Sequence, residues 1–433
     1  MKVLVLGAAR SGISVTRLLL KQGHTVVLND AQAISASIPF DDPKLTVIEG
    51  SHPESLWDEN FDCVIKNPGI PHTLPFLKGF ISRNIPILNE IEYASSLADY
   101  RYGAITGTNG KTTTTALLGE LLKTLNPHNG AYGNIGIALS DLVLEHPDEK
   151  LSVALEIAAF QLLGTFNFRP DVSVIMNLTP DHLDVFKDVD EYYKAKTLVY
   201  KNQKGEDWFL RNLDDDNIVT HTQECPCTVV SFSLEKAADV CLKDKAIWLF
   251  DTKLFDLKDL KLVGMHNVQN AMVAAAMAYK LGVSADKIQQ GIRDFNGVEH
   301  RIEYVETVNE VPYYNDSKGT NAEATVVALK AFESPVILLA GGYDKKTGFA
   351  ALVPYLDNVK TMIVFGETKH QLKALYPQAL VLENLTEAVD KAHQLAKAGD
   401  VVLFSPACAS YDQFDNYEQR GRIFKELVHN LRK

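Results

Sequence analysis

The sequence contains few cysteines and no long apolar segment, and its basic residues are outnumbered by acidic ones. No run of 18 or more apolar residues occurs in the 433 residues, so no transmembrane helix is expected. Five cysteines, a small and odd number, favour free thiols in a reducing compartment over a disulfide framework. Since 43 lysines and arginines face 55 aspartates and glutamates, the formal net charge is −12. Such a chain is a poor candidate for sequence-independent binding to nucleic acid or to an anionic membrane.

Internal repeats and low-complexity linkers are also missing from the sequence. The composition, 46% hydrophobic and 23% charged, is that of a globular protein and excludes disordered, collagen-like and coiled-coil classes. Cys225-Pro226-Cys227 could form half of a metal site, but no second Cys/His pair completes it, which favours a surface turn. Met1-Lys2 leads directly into a strand pattern that is not typical of a signal peptide. These features together predict a cytoplasmic protein.

The length predicts more than one domain, because single hydrophobic cores stop growing beyond about 250–300 residues. Apolar runs alternate with helix-length segments along the whole chain, a pattern typical of α/β proteins. We therefore predict three α/β domains in series. They are a Rossmann-like domain at 1–93, a central P-loop mononucleotide-binding domain at 94–297 and a Rossmann-like domain at 298–433.

The first strand pattern ends in a glycine fingerprint. Gly7 and Gly12 occupy the outer positions of G-x-G-x-x-G, but Ala9 stands at the middle position, where a pyrophosphate requires a close backbone approach. The fingerprint therefore gives only weak support to dinucleotide binding. A nucleotide-type fold that binds another ligand, or none, is an equally good interpretation at this point.

A phosphate-binding loop is the strongest local signal. The segment 107–112, GTNGKT, follows a strand pattern and opens a helix, the context that such a loop requires. Lys111 is suited to neutralise terminal phosphates and the Thr112 hydroxyl to coordinate Mg²⁺. Ile105 stands where the strict motif has glycine, so the loop is a shorter variant. A chance Gly-Lys-Thr turn is the alternative.

Two further residues are candidate metal ligands near this loop. Glu156 ends a strand pattern, and His182 follows another strand pattern with Asp181 and Asp184 beside it. Because open α/β sheets bind ligands at the carboxyl ends of their strands, both residues are placed suitably. Carboxylate and imidazole together fit a divalent metal that bridges phosphates, although each residue alone would be an ordinary loop residue.

Seven motifs occur in an order that resembles the Mur ligase superfamily, the cytoplasmic ATP-dependent amide ligases of peptidoglycan precursor synthesis. The motifs are GTNGKTTTT (107–115), GNIG (133–136), NLTPDHLD (177–184), HNVQNA (266–271), HR (300–301), NDSKGTN (315–321) and SPACASYDQF (405–414). The resemblance covers nearly the whole chain. It is strongest to the branch that adds D-glutamate to UDP-N-acetylmuramoyl-L-alanine, since the Asn/Asp-Pro-Arg motif of the branches that add diaminopimelate or lysine is missing.

The resemblance implies a site for each substrate. It implies that the first domain holds the UDP-sugar rather than NAD, through Arg10, Ser11, Asn67 and Gly69, with Asn134 near the same substrate. The residues implied for ATP are Gly107, Thr108, Asn109, Gly110, Lys111, Thr112, Thr113, Asn267, Asn270, Arg301 and Asp316. The implied ligands of Mg²⁺, at two sites, are Thr112, Glu156, His182 and Lys196.

Lys196 has a special role in this resemblance, because the family carries a carbamylated lysine at the matching position. A lysine buried near a metal loses its charge more easily, and reaction with CO₂ would convert it into an anion that supports Mg²⁺. From its sequence context alone Lys196 is an ordinary helix lysine. Carbamylation is therefore a hypothesis at this stage.

The acceptor amino acid has two carboxylates, so its site needs cations and hydroxyls. The resemblance implies that these come from the last domain: Lys318, Thr320, Ser410, Tyr411 and Tyr417, with either Lys345 or Lys346 as a further cation. The chain departs from the family at GGYDKKTGF, which leaves the two lysines as alternatives. A second departure is Ala158-Ala159, where the family has Ser-Ser, and it puts one substrate or metal contact in doubt.

The expected reaction is a two-step ligation through an acyl phosphate, with Lys111, Glu156, His182 and Lys196 as the catalytic group. The base that deprotonates the amine stays open, with His182 as one candidate. The expected partners are UDP-N-acetylmuramoyl-L-alanine, D-glutamate and ATP, and the chain is expected to be a monomer. Three alternatives remain: a sibling ligase such as folylpolyglutamate synthetase or the L-alanine-adding enzyme, a dehydrogenase, and a non-catalytic ATP-binding switch or scaffold.

Overall fold

The computed structural model describes residues 1–34, 41–181, 186–344 and 348–432. The chain divides into two compact units. The first unit comprises residues 1–259 and 269–293, and the second comprises residues 260–268 and 294–433.

The first unit contains two sheets. The first is a five-stranded, all-parallel sheet in the order β3-β2-β1-β4-β5, the doubly wound order of nucleotide-binding folds. Its strands are β1 (Lys2–Leu6), β2 (Thr25–Asp30), β3 (Leu45–Glu49), β4 (Cys63–Lys66) and β5 (Ile87–Leu88). Helices of this segment are α1 (Arg10–Lys21), α2 (Leu77–Ile81) and α3 (Glu90–Ser95), with a 3₁₀ helix at Glu54–Asp58.

The second sheet of this unit has nine strands in the order β14-β13-β12-β11-β10-β9-β6-β8-β7, and only β12–β13 and β13–β14 pair antiparallel. Its strands are β6 (Arg101–Thr106), β7 (Gly130–Gly133), β8 (Ser152–Glu156), β9 (Val172–Ile175), β10 (Trp208–Asn212), β11 (Thr228–Ser233), β12 (Val240–Lys243), β13 (Ala246–Leu249) and β14 (Thr252–Asp256). The helices are α4 (Lys111–Lys123), α5 (Leu139–Glu145), α6 (Ala159–Leu162), α7 (Val189–Thr197), α8 (Asp216–His221), α9 (Met265–Lys280) and α10 (Ala285–Asp294), with 3₁₀ helices at Leu198–Tyr200 and Leu257–Asp259.

The second unit contains a six-stranded sheet in the order β15-β16-β20-β17-β18-β19, parallel except for the β15–β16 hairpin. Its strands are β15 (Glu303–Val308), β16 (Val311–Asn315), β17 (Val336–Gly341), β18 (Val359–Phe365), β19 (Leu380–Val381) and β20 (Val401–Phe404). The helices are α11 (Ala322–Leu329), α12 (Lys369–Leu375), α13 (Leu385–Leu395) and α14 (Tyr417–Asn430), with a 3₁₀ helix at Ala350–Asn358.

The parallel strands are buried, as expected for sheets with helices on both faces. All four residues of β4, all five of β8 and all six of β17 are buried. One apolar core in the first unit contains residues of both of its sheets, from Val3 in β1 to Phe209 in β10. In the second unit two separate apolar clusters line the sheet.

The α/β class is confirmed by these sheets. Gly282, two residues after the end of α9, has a φ of +104°, a conformation that suits glycine at the end of a helix. Each sheet lies within one of the three predicted domain ranges, and the first two share one compact unit. The boundaries after residues 93 and 297 stay predictions. Among the described residues, no helix combines the length and apolarity needed to cross a membrane.

Candidate active site

A cavity of about 360 Å³ lies in the first unit, beside the turn that joins β1 to α1. This volume is suited to part of a nucleotide-sized ligand. Four of the residues predicted for the UDP-sugar line it, namely Arg10, Ser11, Asn67 and Asn134. The other lining residues are Ala9, Pro68, Glu90, Gly133, Gly136, Ala138 and Gln161.

The backbone conformation of this turn requires glycine at both outer positions of the fingerprint. Gly7 has a φ of +94°, and a Cβ on Gly12 would lie 1.9 Å from the Gly7 carbonyl oxygen. Ala9 is the N-cap residue of α1 and lines the cavity. The outer glycines are thus explained by the tight strand-to-helix turn, with no need for a dinucleotide.

The acidic residue at the end of β2, Asp30, holds the glycine turn in place. Dinucleotide-binding folds use an acidic residue about 20 residues after the glycine turn to bind ribose hydroxyls. Here the carboxylate of Asp30 accepts hydrogen bonds from the backbone N–H groups of Ala8 (2.8 Å) and Gln32 (2.9 Å). Since both carboxylate oxygens have backbone donors, Asp30 serves the loop structure.

The cavity walls are held by hydrogen bonds between distant segments. Arg10 Nη1 donates to the Gly136 carbonyl oxygen at 2.6 Å, and Asn67 Nδ2 donates to Ser11 Oγ at 3.0 Å. Gly69, which was also predicted to bind the sugar nucleotide, donates its N–H to Asn67 Oδ1 at 3.0 Å. The predicted residues therefore form one connected wall.

Glu90 is a cavity residue that sequence reasoning missed. It is buried, and its Oε1 accepts hydrogen bonds from both the backbone N–H and the hydroxyl of Ser140. Burial raises the pKa of Glu90 to about 7, while the two donors of Ser140 partly oppose this shift. Only its place directly after the helix-capping residue Asn89 distinguishes it in the sequence.

The predicted phosphate loop joins β6 to α4. Thr112 and Thr113 lie in the first turn of α4, and both are buried. The first N–H groups of a helix lack intrahelical partners and face outward with the positive end of the helix dipole. Asn270 of α9 accepts a hydrogen bond from Thr114 Oγ1 at 3.3 Å, and its Oδ1 lies 2.5 Å from where a Cβ on Gly110 would be. The loop thus has no room for a larger residue at Gly110.

Asn177 and Thr179 hold the phosphate loop from outside, and sequence reasoning missed their role. The Asn109 N–H donates to Asn177 Oδ1 at 2.8 Å, and Asn177 Nδ2 donates back to the Asn109 carbonyl at 3.1 Å. The Thr108 hydroxyl donates to the Thr179 carbonyl at 3.1 Å. Both residues stand in NLTPDHLD just after β9, and that position was the available signal.

Two lysines meet at one carbonyl of the phosphate loop. Lys111 Nζ donates to the carbonyl oxygens of Gly107 and Thr108, each at 2.8 Å. Lys196 Nζ donates to the same Gly107 oxygen at 2.9 Å and lies 4.3 Å from the ring centre of Tyr192. Burial, and secondarily the charge of Lys111, lower the pKa of Lys196 well below its ordinary value.

Glu156 has the properties expected of a metal ligand. It is 2% exposed at the carboxyl end of β8, and Asn134 Nδ2 donates to its Oε1 at 2.8 Å. Its Oε2 is buried and has no hydrogen-bond partner among the described residues. An unpartnered buried carboxylate oxygen is costly, so the donor set fits a bound divalent cation. Asn134 also connects this carboxylate to the cavity.

Several predicted residues need separate mention. His182, Lys345 and Lys346 lie outside the described residues. Asn267 is buried and donates from Nδ2 to the Val263 carbonyl at 2.8 Å. The metal role of His182, the ATP role of Asn267 and the acceptor role of Lys345 or Lys346 stay predictions.

In the second unit, Asp316 is buried at the end of β16. Its Oδ2 accepts from Ser405 Oγ at 2.6 Å, and its Oδ1 accepts from the Ile302 N–H at 3.2 Å. Burial raises the pKa of Asp316 to about 7, opposed by these donors and by the charges of Arg301 and Arg420. The carboxylate therefore joins two loops of this unit, and its predicted contact with ATP stays a prediction, as does that of Arg301.

Arg420 organises the predicted acceptor loops, and sequence reasoning missed it. It is fully buried, and its guanidinium donates to the Ser317 hydroxyl (3.1 Å) and to the carbonyls of Ser317 (2.8 Å), Cys408 (3.0 Å) and Ala409 (3.0 Å). These bonds join NDSKGTN to SPACASYDQF. No local sequence signal indicates it, because its partners lie up to about a hundred residues away along the chain.

The predicted acceptor residues lie on or beside these loops. Lys318 Nζ lies 5.7 Å from the ring centre of Tyr417, and Ser410 is buried next to Ala409. Tyr411 is 69% exposed and its ring packs edge-on against Tyr343. Thr320 follows Lys318 in a tight turn, in which the Thr320 N–H donates to the Lys318 carbonyl oxygen at 2.9 Å. The second unit thus brings together hydroxyls, a cation and aromatic rings, the types that the acceptor requires.

Comparison with known proteins shows the family. Residues 105–278 match the Mur ligase middle domain, and residues 300–408 match the Mur ligase glutamate ligase domain. A UDP-N-acetylmuramoylalanine–D-glutamate ligase of Bacillus cereus is 38% identical over 99% of this chain and 97% of its own length. The chain belongs to the Mur ligase family. A protein of the same name from Bacillus thuringiensis is 39% identical to this Mur ligase over the same shares of the two chains.

Solved structures share the fold of this Mur ligase. UDP-N-acetylmuramate–alanine ligase of Thermotoga maritima superposes with a TM-score of 0.60 at 20% identity, covering 99% of each chain. A pseudomurein peptide ligase type C of Methanothermus fervidus superposes with a TM-score of 0.59 at 17% identity, again covering 99% of each chain. At such identities the likeness establishes the fold.

The Ala158-Ala159 departure of this Mur ligase has a visible structural consequence. Ala158 is the N-cap residue of α6 and offers no side-chain acceptor. Instead, Gln161 Oε1 accepts from the Ala158 N–H at 2.9 Å. The helix start beside Glu156 is therefore stabilised without a serine hydroxyl.

Proposed function

We propose that this Mur ligase joins D-glutamate to UDP-N-acetylmuramoyl-L-alanine in peptidoglycan precursor synthesis, at the expense of ATP. The observation that carries the proposal is the similarity over almost the full chain to ligases named for this pair of substrates. A cytoplasmic, monomeric enzyme is part of the proposal.

The sugar nucleotide is assigned to the cavity of the first unit. Arg10 supplies a cation for its phosphates, and the N-terminus of α1 supplies N–H groups and the positive end of the helix dipole. Ser11 and Asn67 offer hydroxyl and amide groups at the same wall. Asn134, which touches both the cavity and Glu156, would place the L-alanyl end of the substrate near the metal carboxylate.

ATP is assigned to the phosphate loop, and Asn267, Asn270, Arg301 and Asp316 are proposed to complete its site. The helix N–H groups of α4 bind phosphate oxygens, and Lys111 turns from the loop carbonyls to neutralise the terminal phosphate. Thr112, Glu156, His182 and Lys196 would hold Mg²⁺ at two sites. Bound Mg²⁺ would supply charge neutralisation for the transferring phosphoryl group.

The reaction proceeds in two steps. A carboxylate oxygen of the L-alanyl group attacks the γ-phosphorus of ATP, and the bond to the bridging oxygen breaks to give an acyl phosphate and ADP. The amine of D-glutamate then attacks the acyl carbon through a tetrahedral intermediate. The C–O bond to phosphate breaks, inorganic phosphate leaves and the amine loses a proton. The protein contributes mainly positioning and charge stabilisation.

D-Glutamate is assigned to the loops of the second unit. Lys318 and one of Lys345 and Lys346 would balance its two carboxylates, and the hydroxyls of Thr320 and Ser410 would donate hydrogen bonds to them. Tyr411 and Tyr417 would form the walls. Arg420 holds the backbone of these loops in place and is a positioning residue.

Lys196 is proposed to carry a carbamate. Its neutral amine adds to CO₂ to form the N-carboxylate with release of one proton. Its burial and the nearby charge of Lys111 favour the neutral amine. The carbamate would place an anion that can support Mg²⁺ next to Lys111.

An ADP-release assay tests the proposed function. With UDP-N-acetylmuramoyl-L-alanine, D-glutamate, ATP and Mg²⁺, we expect turnover that disappears when any one component is omitted. Lys111→Ala should lower kcat by about a hundredfold or more, because the phosphoryl transition state loses a cation. Lys123→Ala is the matched control: Lys123 lies exposed on the same helix, where it pairs with Glu120.

Other outcomes would contradict the proposal. Faster turnover with L-alanine or L-lysine than with D-glutamate would indicate a sibling ligase. Nicotinamide cofactor binding would indicate a dehydrogenase, and ATP binding without turnover in any combination would indicate a switch or scaffold protein.

A further inference from the structure

Three potential metal ligands, His128, His146 and Glu149, lie close together in the first unit, outside the phosphate loop. His128 Nδ1 lies 3.0 Å from Glu149 Oε1, and His146 Nδ1 lies 2.9 Å from the same oxygen. The ligand atoms of the three residues all lie within 4.8 Å of one another. Glu149 precedes the start of β8, whereas Glu156 stands at its end. The group is thus a separate cluster from the proposed catalytic metal site.

The backbone around this cluster is fixed by its own hydrogen bonds. The Tyr100 hydroxyl donates to the His146 carbonyl at 2.6 Å, and the His128 N–H donates to Asn126 Oδ1 at 2.9 Å. Asn126 Nδ2 also donates to Glu149 Oε2 at 3.3 Å. Because these bonds use backbone groups and Asn126, they position the three side chains without consuming the imidazole nitrogens.

The two imidazole rings are held side by side. Their centres lie 4.0 Å apart at an interplanar angle of 25°, so both Nδ1 atoms face the same carboxylate. Glu145 Oε2 lies 3.9 Å from His146 Nε2, on the far side of that ring. A carboxylate behind a ligating histidine is a common supporting partner in metal sites. The surroundings of the cluster therefore favour a cation.

We infer that His128, His146 and Glu149 form a binding site for a divalent transition-metal ion of the Zn²⁺ class. Two imidazole nitrogens and one carboxylate oxygen are a donor set that suits Zn²⁺ and its neighbours, whereas Mg²⁺ prefers oxygen ligands alone. The ion would replace the hydrogen bonds that the imidazoles now make to Glu149, with water completing its coordination.

A bound ion would cross-link three segments of the first unit. His128 lies in the connection between α4 and β7, His146 follows α5, and Glu149 lies before β8. An ion held by all three joins these segments only in the folded chain, so it should stabilise the folded state by mass action. The same helix α4 begins at the phosphate loop, but no catalytic role follows from this connection.

Zn²⁺ titration of the full chain by calorimetry tests this inference. Excess Mg²⁺ is present to saturate the catalytic site, and Cys225→Ser/Cys227→Ser serves as the background, because Cys225 Sγ and Cys227 Sγ lie 3.0 Å apart and could also bind Zn²⁺. We expect one Zn²⁺ per chain and a Tm that rises with Zn²⁺. Separate His128→Ala, His146→Ala and Glu149→Gln variants should weaken binding at least about tenfold.

The matched control is His221→Ala, which removes another surface histidine that has a carboxylate partner, Asp190, at 3.3 Å. It should leave the Zn²⁺ affinity unchanged. Circular dichroism and the metal-free Tm establish that each variant is folded. The inference is overturned if the background protein binds no Zn²⁺, or if the three ligand variants bind it as tightly as their parent.

Discussion

Two buried basic residues hold loops of this Mur ligase, Lys196 in the first compact unit and Arg420 in the second, and they differ in their partners and in their charge state. Lys196 is 1% exposed and its amine donates one hydrogen bond, to the Gly107 carbonyl, with the Tyr192 ring against it. Arg420 is 0% exposed and makes four hydrogen bonds to two loops. Both contact a loop backbone, but among the described residues Arg420 has four hydrogen-bond acceptors and Lys196 has one.

The electrostatic surroundings of the two residues are opposite. Burial and, after it, the charge of Lys111 lower the pKa of Lys196 far below its ordinary value, and Asp181 opposes the shift only in part. Burial lowers the pKa of Arg420 only to about 10, because Cys408, Asp412 and Asp316 oppose the shift. Lys196 is therefore poised for chemistry of the neutral amine, while Arg420 remains a charged structural residue.

The largest expected effect is on stability, from Arg420→Ala. Removing the guanidinium leaves several buried carbonyls without donors and creates a cavity, so the unfolding free energy should fall by roughly 3 kcal/mol or more. Urea denaturation measures this loss. Arg422→Ala, an exposed arginine on the same helix, is the control and should change stability by about 0.5 kcal/mol or less. Equal losses of unfolding free energy in the two variants would contradict the structural role of Arg420.

The electrostatic surroundings of Arg420 include Asp316, and the variant Asp316→Asn tests the charge state of this carboxyl. Burial raises the pKa of Asp316 to about 7 from 3.8, so the folded state binds the proton more tightly than the unfolded state. The resulting stability is fully present below about pH 4 and is lost as the pH rises through about 7. Between pH 5 and 8 the natural protein should lose roughly 2–3 kcal/mol relative to Asp316→Asn.

Urea denaturation of both proteins at a series of pH values measures this difference. Asp357→Asn, which changes an exposed aspartate of the same unit, should follow the natural protein at every pH. Parallel pH profiles for natural protein and Asp316→Asn would show that Asp316 is ionised throughout, paired with a cation such as Arg420.

The smallest stability effect is expected for Lys196→Met. The variant loses one hydrogen bond to Gly107 but no longer buries an amine, and the methionine keeps the apolar stem against Tyr192, so stability should change by about 1 kcal/mol or less. Its kcat should nevertheless fall by roughly a hundredfold or more, since the proposed carbamate is lost. Urea denaturation and ADP release measure the two effects.

The carbamate itself is tested by ¹³C NMR of protein equilibrated with ¹³C-bicarbonate. One carbamate resonance is expected in the natural protein and none in Lys196→Met. Lys194→Met, on the same helix but exposed and paired with Asp190 at 2.6 Å, should retain both the resonance and the activity. A resonance that survives in Lys196→Met, or full activity of that variant, would contradict the proposal.

The sequence alone was informative wherever function depends on consecutive residues. The phosphate loop, the glycine turn after β1 and the polar end of β8 could be predicted because each is a local strand–turn–helix or strand-end pattern. The predicted UDP-sugar residues Arg10, Ser11, Asn67 and Asn134 do line one cavity. For these, the order of motifs along the chain was enough.

The residues that were missed have partners remote in sequence. Arg420 bonds to residues near 317 and 408. Lys196 was predicted through the family resemblance, but its sharing of the Gly107 carbonyl with Lys111 was not. Glu90 meets Ser140 across the first unit. Since none of these pairs has a characteristic spacing, no periodicity or motif could predict them.

The amino-acid order by itself therefore determined the α/β class, the family and the strand–loop–helix turn at residues 107–112, because backbone propensity, glycine turns and helix starts are local properties. Tertiary structure alone decided which buried side chains keep a charge, which carboxylate oxygen has no donor among the described residues, and which histidines meet a common glutamate. Those properties depend on desolvation and on distances between remote segments, and the chain acquires both only when it folds.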